Sequence, residues 1–396
     1  MSELKEAQQP TYWSAVFSLF MGVTSLIAAE FIPISLLTNI ASDLHITEGQ
    51  AGQSVTAVGI FAVLTSLFIA PLTRKIDKRR ILLLFSTLLI LSNICVAFAH
   101  NFITLLAGRC VLGICVGGFW SLTSAVVLQL VPSNQIPKAL SIIYTGVSVA
   151  TIISLPFANY IGYLLGWRTI FHLVAVLGMI TLIWQYFSLP SLLSPQNSSF
   201  QSIQLLLKQS WVIYGLLAIV CSYAGYHIFF TYLKPFLQYS LSLPPYTLTL
   251  TLLCFGLVNC FGTLIAGFLL NKSFRITMIM IHVILSLVAL LFFINSQFFI
   301  GNLINIFIWG LIFGIIPVGW STWITRTLTN QAEIAGGLMV AAIQLSITIA
   351  AAIGGLLFDH YGIHMIFIAS FSIFITAIFF TVISFKSFYE VKGKPV

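Results

Sequence analysis

Twelve long apolar stretches fill this chain, and the second six echo the first six. Asn134-Gln135 falls on Asn330-Gln331, Ala139 on Ala335, and the GWRTIF from Gly166 on the GIHMIF from Gly362. Matched punctuation in the same order predicts one six-span unit repeated in parallel orientation. Two such units joined by a short connection make the architecture of a secondary transporter. The spans fall near residues 14–38, 49–72, 81–99, 103–129, 139–162, 169–189, 211–233, 246–270, 276–294, 299–325, 336–358 and 364–385, each close to the ~20 apolar residues that cross a bilayer as helix.

The expected fold is therefore an all-α membrane protein of twelve transmembrane helices. Residues 1–189 form an N-terminal six-helix bundle, 190–210 a cytoplasmic linker and 211–396 a C-terminal six-helix bundle. The Pro, Ser and Gln content of SLPSLLSPQNSSFQSIQLLLKQS marks the break between them. Within lipid every backbone polar group must be satisfied inside its own segment, so the spans must be helices. A barrel is disfavoured because the apolar runs are continuous rather than alternating.

Composition agrees. The chain is 59% hydrophobic and 7% charged, which a soluble domain of this length does not show. Its net charge of +8 orients the chain rather than attracting nucleic acid. Segments on the expected cytoplasmic side carry Lys5, Arg74, Lys75, Lys78, Arg79, Arg80, Lys138, Lys208, Lys272, Arg275, Arg326, Lys386, Lys392 and Lys394. The opposite loops carry Arg168 and Lys234. This asymmetry predicts cytoplasmic termini. The start, MSELKEAQQP, lacks a basic n-region, so no cleavable signal is expected.

The cysteines lie inside spans and read as packing residues, and the histidines show no metal-ligand spacing. No metal or other cofactor is expected. No P-loop occurs, which argues against an ATP-driven pump, and no nucleophile, base and orienting group come together as an enzyme would need. A passive channel would want a more polar pore, and a transporter-like sensor an added soluble domain.

Few polar groups sit deep in the spans. Arg109 is the strongly basic side chain placed well within one, in LLAGRCVLGICVGGFW, where Gly113 and Gly117 follow at intervals that let another helix approach. A buried arginine needs a partner or a wet cavity. Glu30 is the carboxylate clearly inside a span, ~13 Å from its outer end, and Arg109 lies ~10 Å deep by the same helical rise. Burial opposes a carboxylate's charge and a nearby arginine favours it, so a group held between the two can take and release a proton. The plainer alternatives are an arginine that snorkels to headgroups and an ion pair that never titrates.

A second set suits a small substrate. Tyr223, Tyr226 and His227 lie on span seven, with Tyr226 ~12 Å deep, level with Glu30. Asn259, Asn305, Trp309 and Gln344 are further polar or aromatic groups in second-half spans. Such pockets are mostly apolar with a few placed polar groups. Trp320 and Trp323, near the cytoplasmic end of span ten, read as an interfacial aromatic belt.

The loop APLTRKIDKRR between spans two and three resembles the signature loop of the major facilitator superfamily. Arg74 stands where that family has an aspartate, Lys75 where it has arginine, Asp77 at the second glycine, and Lys78-Arg79 at the basic pair. The resemblance implies a cytoplasmic gate built from these five residues, with Asp77 able to substitute for the displaced acid. The span-four pattern Arg109-x-x-x-Gly113-x-x-x-Gly117 and, loosely, TGVSVATIISLPFANYIG with Pro156 and Gly162 resemble proton antiporters of the same family. The runs EFIPISLLTNIASDLHITEGQAGQSVT from Glu30, SYAGYHIFFTYLKP from Ser222 and PVGWSTWITRTLTNQAEIAG from Pro317 are similar to the drug and metabolite proton-antiporter branch. That similarity implies a monomeric exporter in a bacterial inner membrane, with the lipid bilayer, a small-molecule substrate and protons as its partners. Purine ribonucleosides such as inosine are the implied substrates; sugar or multidrug export is the alternative.

Overall fold

The structure, a computed structural model, describes residues 11–46, 48–192, 200–233, 236–237, 241, 243–294 and 298–393. The N-terminal decapeptide, Lys234, Lys394, the loop after span seven and part of the linker include positions outside these residues, as do the side chains of Pro156 and Asn159.

The described residues form helices joined by short turns and contain no strand. The first half contains α1 (Trp13–Asp43), α2 (Glu48–Leu72), α3 (Lys78–Ala97), α4 (Phe102–Leu130), α5 (Ile136–Leu165) and α6 (Trp167–Ser188). A short linker helix, α7 (Phe200–Leu207), precedes α8 (Ser210–Phe230), α9 (Pro245–Lys272), α10 (Phe274–Ile294), α11 (Phe299–Phe313), α12 (Ile315–Thr327), α13 (Ala332–Tyr361) and α14 (Ile363–Lys392). Among the described residues eleven stretches are long and apolar enough to cross a membrane, with α11 and α12 counted as one broken span, and α2 adds the shorter apolar run Thr56–Leu72. These account for the twelve expected spans. Phe187 at 81% and Phe268 at 71% exposure would be costly in water and are at ease against acyl chains.

The sequence repeat is also a repeat of geometry. A 3-10 turn spans Ser133–Gln135 before α5 and recurs at Thr329–Gln331 before α13. Both following helices have 30 residues. Each then ends at a glycine with positive φ, 82° at Gly166 and 73° at Gly362, a conformation glycine adopts without the Cβ clash other residues meet.

By contacts the chain divides into two units, Met1–Phe200 with Leu328–Ala341, and Gln201–Thr327 with Ala342–Val396. In the first, α2 packs on α4, α1 on α5 and α6, and α3 on α4 and α6. Gly113 and Gly117 of α4 lie against the α2 backbone at Val58 and Ala62, where an added Cβ would collide. This is the close approach their spacing predicts. Arg168, at the start of α6, bonds Asp43 at the end of α1 and the Ala99 carbonyl (2.8 Å) just past α3, tying three helix ends together. In the second unit, α8 and α10 pack on α14, and α9 packs on α11 and α12.

Local chemistry sets the helix starts. Asn101 accepts the Thr104 amide at 2.9 Å to begin α4, and Asp77 accepts the Arg79 amide at 2.8 Å to begin α3, each satisfying an N–H that the first turn leaves open.

Candidate functional site

In the first unit the deep polar centre gathers on Arg109, which is 1% exposed. Its Nε donates to the Ser54 carbonyl (3.2 Å), Nη1 to the Ala29 carbonyl (2.7 Å) and Nη2 to the Glu30 carbonyl (3.0 Å). The reason lies in α1, which contains Pro33. Proline has no N–H, so the carbonyl four residues back, that of Ala29, loses its helical donor, and Arg109 supplies one. Arg109 therefore holds the backbone at Glu30; among the described residues no close ion pair joins it to the Glu30 carboxylate, although the two charges act on each other. Arg109 is enclosed by protein and does not snorkel outward.

In the second unit the aromatic candidates come together. Tyr226 stacks on Phe313 (centroids 3.3 Å apart, 7° between planes) and lies parallel to Trp309 at 5.9 Å. His227 stands edge-on to both Tyr226 and Phe313, at 5.1 and 5.9 Å. Tyr223 packs edge-on to Phe313 at 5.8 Å. Tyr226 and Trp309 are buried, whereas Phe313 and His227 are half-buried and form the accessible edge of the cluster. Phe313 was not among the candidates read from sequence; it stands four residues from Trp309, one helical turn further along α11.

The polar candidates divide. Asn259 donates its amide to the Gly310 carbonyl at 2.9 Å, and Thr263 reaches the Gly314 carbonyl at 3.0 Å. Together they support the break between α11 and α12, so Asn259 shapes span ten. Asn305 is buried one turn before Trp309, and Gln344 is half-buried on α13. Trp320 and Trp323 are not an interfacial belt. Both are buried: Trp320 donates to Ser222 Oγ at 3.2 Å, beside His282, and Trp323 packs on Trp211.

The basic loop also sorts its residues. Arg74 and Lys75 are exposed. Arg79 donates to the Tyr186 carbonyl at 2.6 Å. Asp77 accepts from Ser191 Oγ (2.6 Å) and from the Leu192 amide (2.9 Å) as well as capping α3. Burial pushes the Asp77 carboxyl up, but these hydrogen bonds and the Arg80 charge outweigh it and hold the group below its ordinary value. Its stabilising effect is thus complete above the usual carboxylate range and is lost as pH falls through that lowered value. Asp77→Ala should cost about 1 kcal/mol, the ordinary worth of such a cap. The difference from the parent in denaturant unfolding should shrink in acid; a difference unchanged at low pH would count against the cap.

Lys78 behaves unlike its neighbours. It is buried and pairs with Glu333, in the first turn of α13, at 2.7 Å. Glu333 is a second enclosed carboxylate, although it lies between the apolar stretches 299–325 and 336–358.

The Major Facilitator Superfamily profile matches residues 15–339. Over 352 residues the chain is 43% identical to the purine ribonucleoside efflux pump NepI of Shigella sonnei (strain Ss046), covering 89% of each chain. It is 42% identical over the same length to the pump of that name from Salmonella paratyphi B, covering 89% of this chain and 88% of that one. Among solved structures, the proton:xylose symporter XylE bound to 6-bromo-6-deoxy-D-glucose superposes with a TM-score of 0.76 at 15% identity, over 93% of this chain and 94% of that one. The human organic anion transporter MFSD10 gives 0.75 at 14% identity, over 94% and 100%. At such identities these two structures speak for the fold alone.

Proposed function

The chain belongs to the Major Facilitator Superfamily, and on that premise we propose that it exports purine ribonucleosides such as inosine in exchange for protons. Alternating access in a bacterial inner membrane is the mechanism of this reading, with both termini cytoplasmic, an orientation that the Lys and Arg distribution supports. The observation that carries the substrate is the 42–43% identity, over 89% of the chain, to pumps described as purine ribonucleoside exporters.

The aromatic cluster supports it. A purine needs a flat surface, and the half-buried Phe313, backed by Tyr226 and Trp309, offers one. Tyr223, His227, Asn305 and Gln344 are the proposed partners for the base edge and ribose. Glu30 is the proposed proton carrier. Arg109 is a positioning residue that fixes the α1 backbone carrying it. Arg74, Lys75, Asp77, Lys78 and Arg79 are the proposed cytoplasmic gate, with Lys78–Glu333 as its closest contact.

The test is proteoliposomes under an imposed proton gradient, offered labelled inosine, a sugar panel and dyes. Inosine should move and depend on the gradient. Sugar movement without inosine movement would overturn the substrate; movement indifferent to the gradient would overturn the coupling. Base–aromatic stacking contributes about 1–3 kcal/mol, so Phe313→Ala should raise the apparent KM for inosine roughly 5- to 150-fold. Phe313→Tyr should stay near the parent. Equal KM values in all three proteins would remove Phe313 from the site.

A further inference from the structure

Glu333 has a chemical situation that the coupling scheme leaves unused. It lies in the Leu328–Ala341 segment, grouped with the first unit, and its side chain and that of Lys78 are each 1% exposed. Oε1 receives Lys78 Nζ at 2.7 Å. Thr73 Oγ1 is a long, weak donor to it at 3.5 Å, being shared with the Ile69 carbonyl at 2.7 Å. Oε2 is buried with no hydrogen-bond partner among the described residues. An ionised carboxylate offers about four acceptor positions, and here one strong and one weak donor serve them all. A carboxylate so poorly solvated is one that a proton can neutralise.

Protonation would have a mechanical consequence. Lys78 is the first residue of α3, where the helix dipole disfavours a cation, and Arg79 and Arg80 follow it. Its other contacts are the neutral Thr73 carbonyl and hydroxyl, both at 3.3 Å. With Glu333 neutral, Lys78 would be a buried cation without a counter-charge, a far less favourable state than the pair. Escape to water requires the segment to lift. The next turn shows how closely it is seated: a Cβ on Gly336 would come within 2.5 Å of the Ser121 carbonyl, and one on Gly337 would collide with that of Ser66. No water layer fits such a seam, so the segment is either docked or released.

Other charges do not complicate the switch. Lys78 is the charged group acting on Glu333. Helices α2 and α4 present Ser66 and Ser121. Arg74, Lys75 and Arg80 are exposed, Arg79 and Asp77 are engaged with Tyr186, Ser191 and Leu192, Lys138 lies over Trp13, and Arg326 over Phe274.

We propose that Glu333 is a second proton-binding group, separate from Glu30, whose protonation breaks the pair with Lys78 and releases Leu328–Ala341 from Ser66 and Ser121. The inference uses neither the identity of the substrate nor the role of Glu30.

Hydrogen–deuterium exchange of the full-length protein in nanodiscs tests it, with exchange over Leu328–Ala341 corrected for the intrinsic pH dependence of amide chemistry. Protection of this segment should fall at least ~10-fold between mildly alkaline and mildly acidic pH, a change in the docking equilibrium of about 1.4 kcal/mol. Glu333→Gln, which mimics the protonated form, should be weakly protected at both ends. The double variant Lys78→Met, Glu333→Leu removes both charges and should stay protected throughout. Protection of the parent that does not vary with pH overturns the proposal even if no variant folds. So does a Glu333→Gln protein as protected as the parent. The series repeated in Glu30→Gln must keep its pH response; its loss there would assign the effect to Glu30 and overturn a separate site.

Discussion

Glu30→Gln protein should bind inosine and exchange it across a membrane without a proton gradient, yet fail to accumulate it when a gradient is applied. The two activities separate because the amide has nearly the shape of the carboxyl but cannot carry a proton. Exchange of substrate for substrate needs the binding site and the conformational change, whereas accumulation also needs proton movement in every cycle. An ionisable residue inside a span is costly to place there and is by default a functional group. The backbone geometry sharpens this. Arg109 clamps the α1 carbonyls at residues 29 and 30, so the segment carrying Glu30 is fixed while its carboxylate feels the nearby guanidinium charge without being held in a close ion pair. A Glu30→Gln protein that still accumulates inosine would remove Glu30 from coupling. One that loses exchange as well would point to a structural role.

Much of the fold was legible in the sequence because its signals are periodic or duplicated. The repeat relating Asn134 to Asn330 foretold the paired 3-10 turns, and Gly166 and Gly362 foretold the paired helix ends. Gly113 and Gly117 announced the approach of α2 to α4. Burial of individual polar groups was much less visible. Lys78 sits among five loop cations and looks solvated, and Glu333 lies just before a hydropathic span and looks like a loop acid. Only the three-dimensional path brings together residues 255 positions apart. Trp320 and Trp323 have the composition of an interfacial belt, but the Ser222–His282 pair on α8 and α10 draws Trp320 inward. Phe313 carries no mark in the sequence because phenylalanine is common in this chain, 34 residues in all, so its residue type singles out no site. The sequence does carry one signal for the Arg109 contacts. Pro33 orphans the carbonyl of Ala29, and a buried arginine is a natural donor for an orphaned carbonyl.

That observation makes the Arg109 experiment discriminating. Arg109→Ala removes a charged donor from three buried carbonyls, and such bonds contribute ~1.5–3 kcal/mol each, so a loss of roughly 3 kcal/mol or more in unfolding free energy is expected. Arg109→Lys should recover only part of it, because an ammonium is a compact donor that cannot span carbonyls on both α1 and α2 as a planar guanidinium does. The decisive partner is Pro33→Ala. Alanine restores an N–H that can reach the Ala29 carbonyl within α1, so that carbonyl no longer depends on Arg109. In the Pro33→Ala background, Arg109→Ala should therefore cost less, with an interaction energy of about 1 kcal/mol in a double-mutant cycle. Counter-charge to the Glu30 carboxylate would give the opposite pattern. The Arg109→Ala cost would then be indifferent to Pro33→Ala and relieved by Glu30→Gln, since neutralising the acid removes the need for its partner. Unfolding of all the single and double variants at one pH distinguishes the two outcomes, and additivity with Pro33→Ala would overturn the carbonyl-clamp account of Arg109.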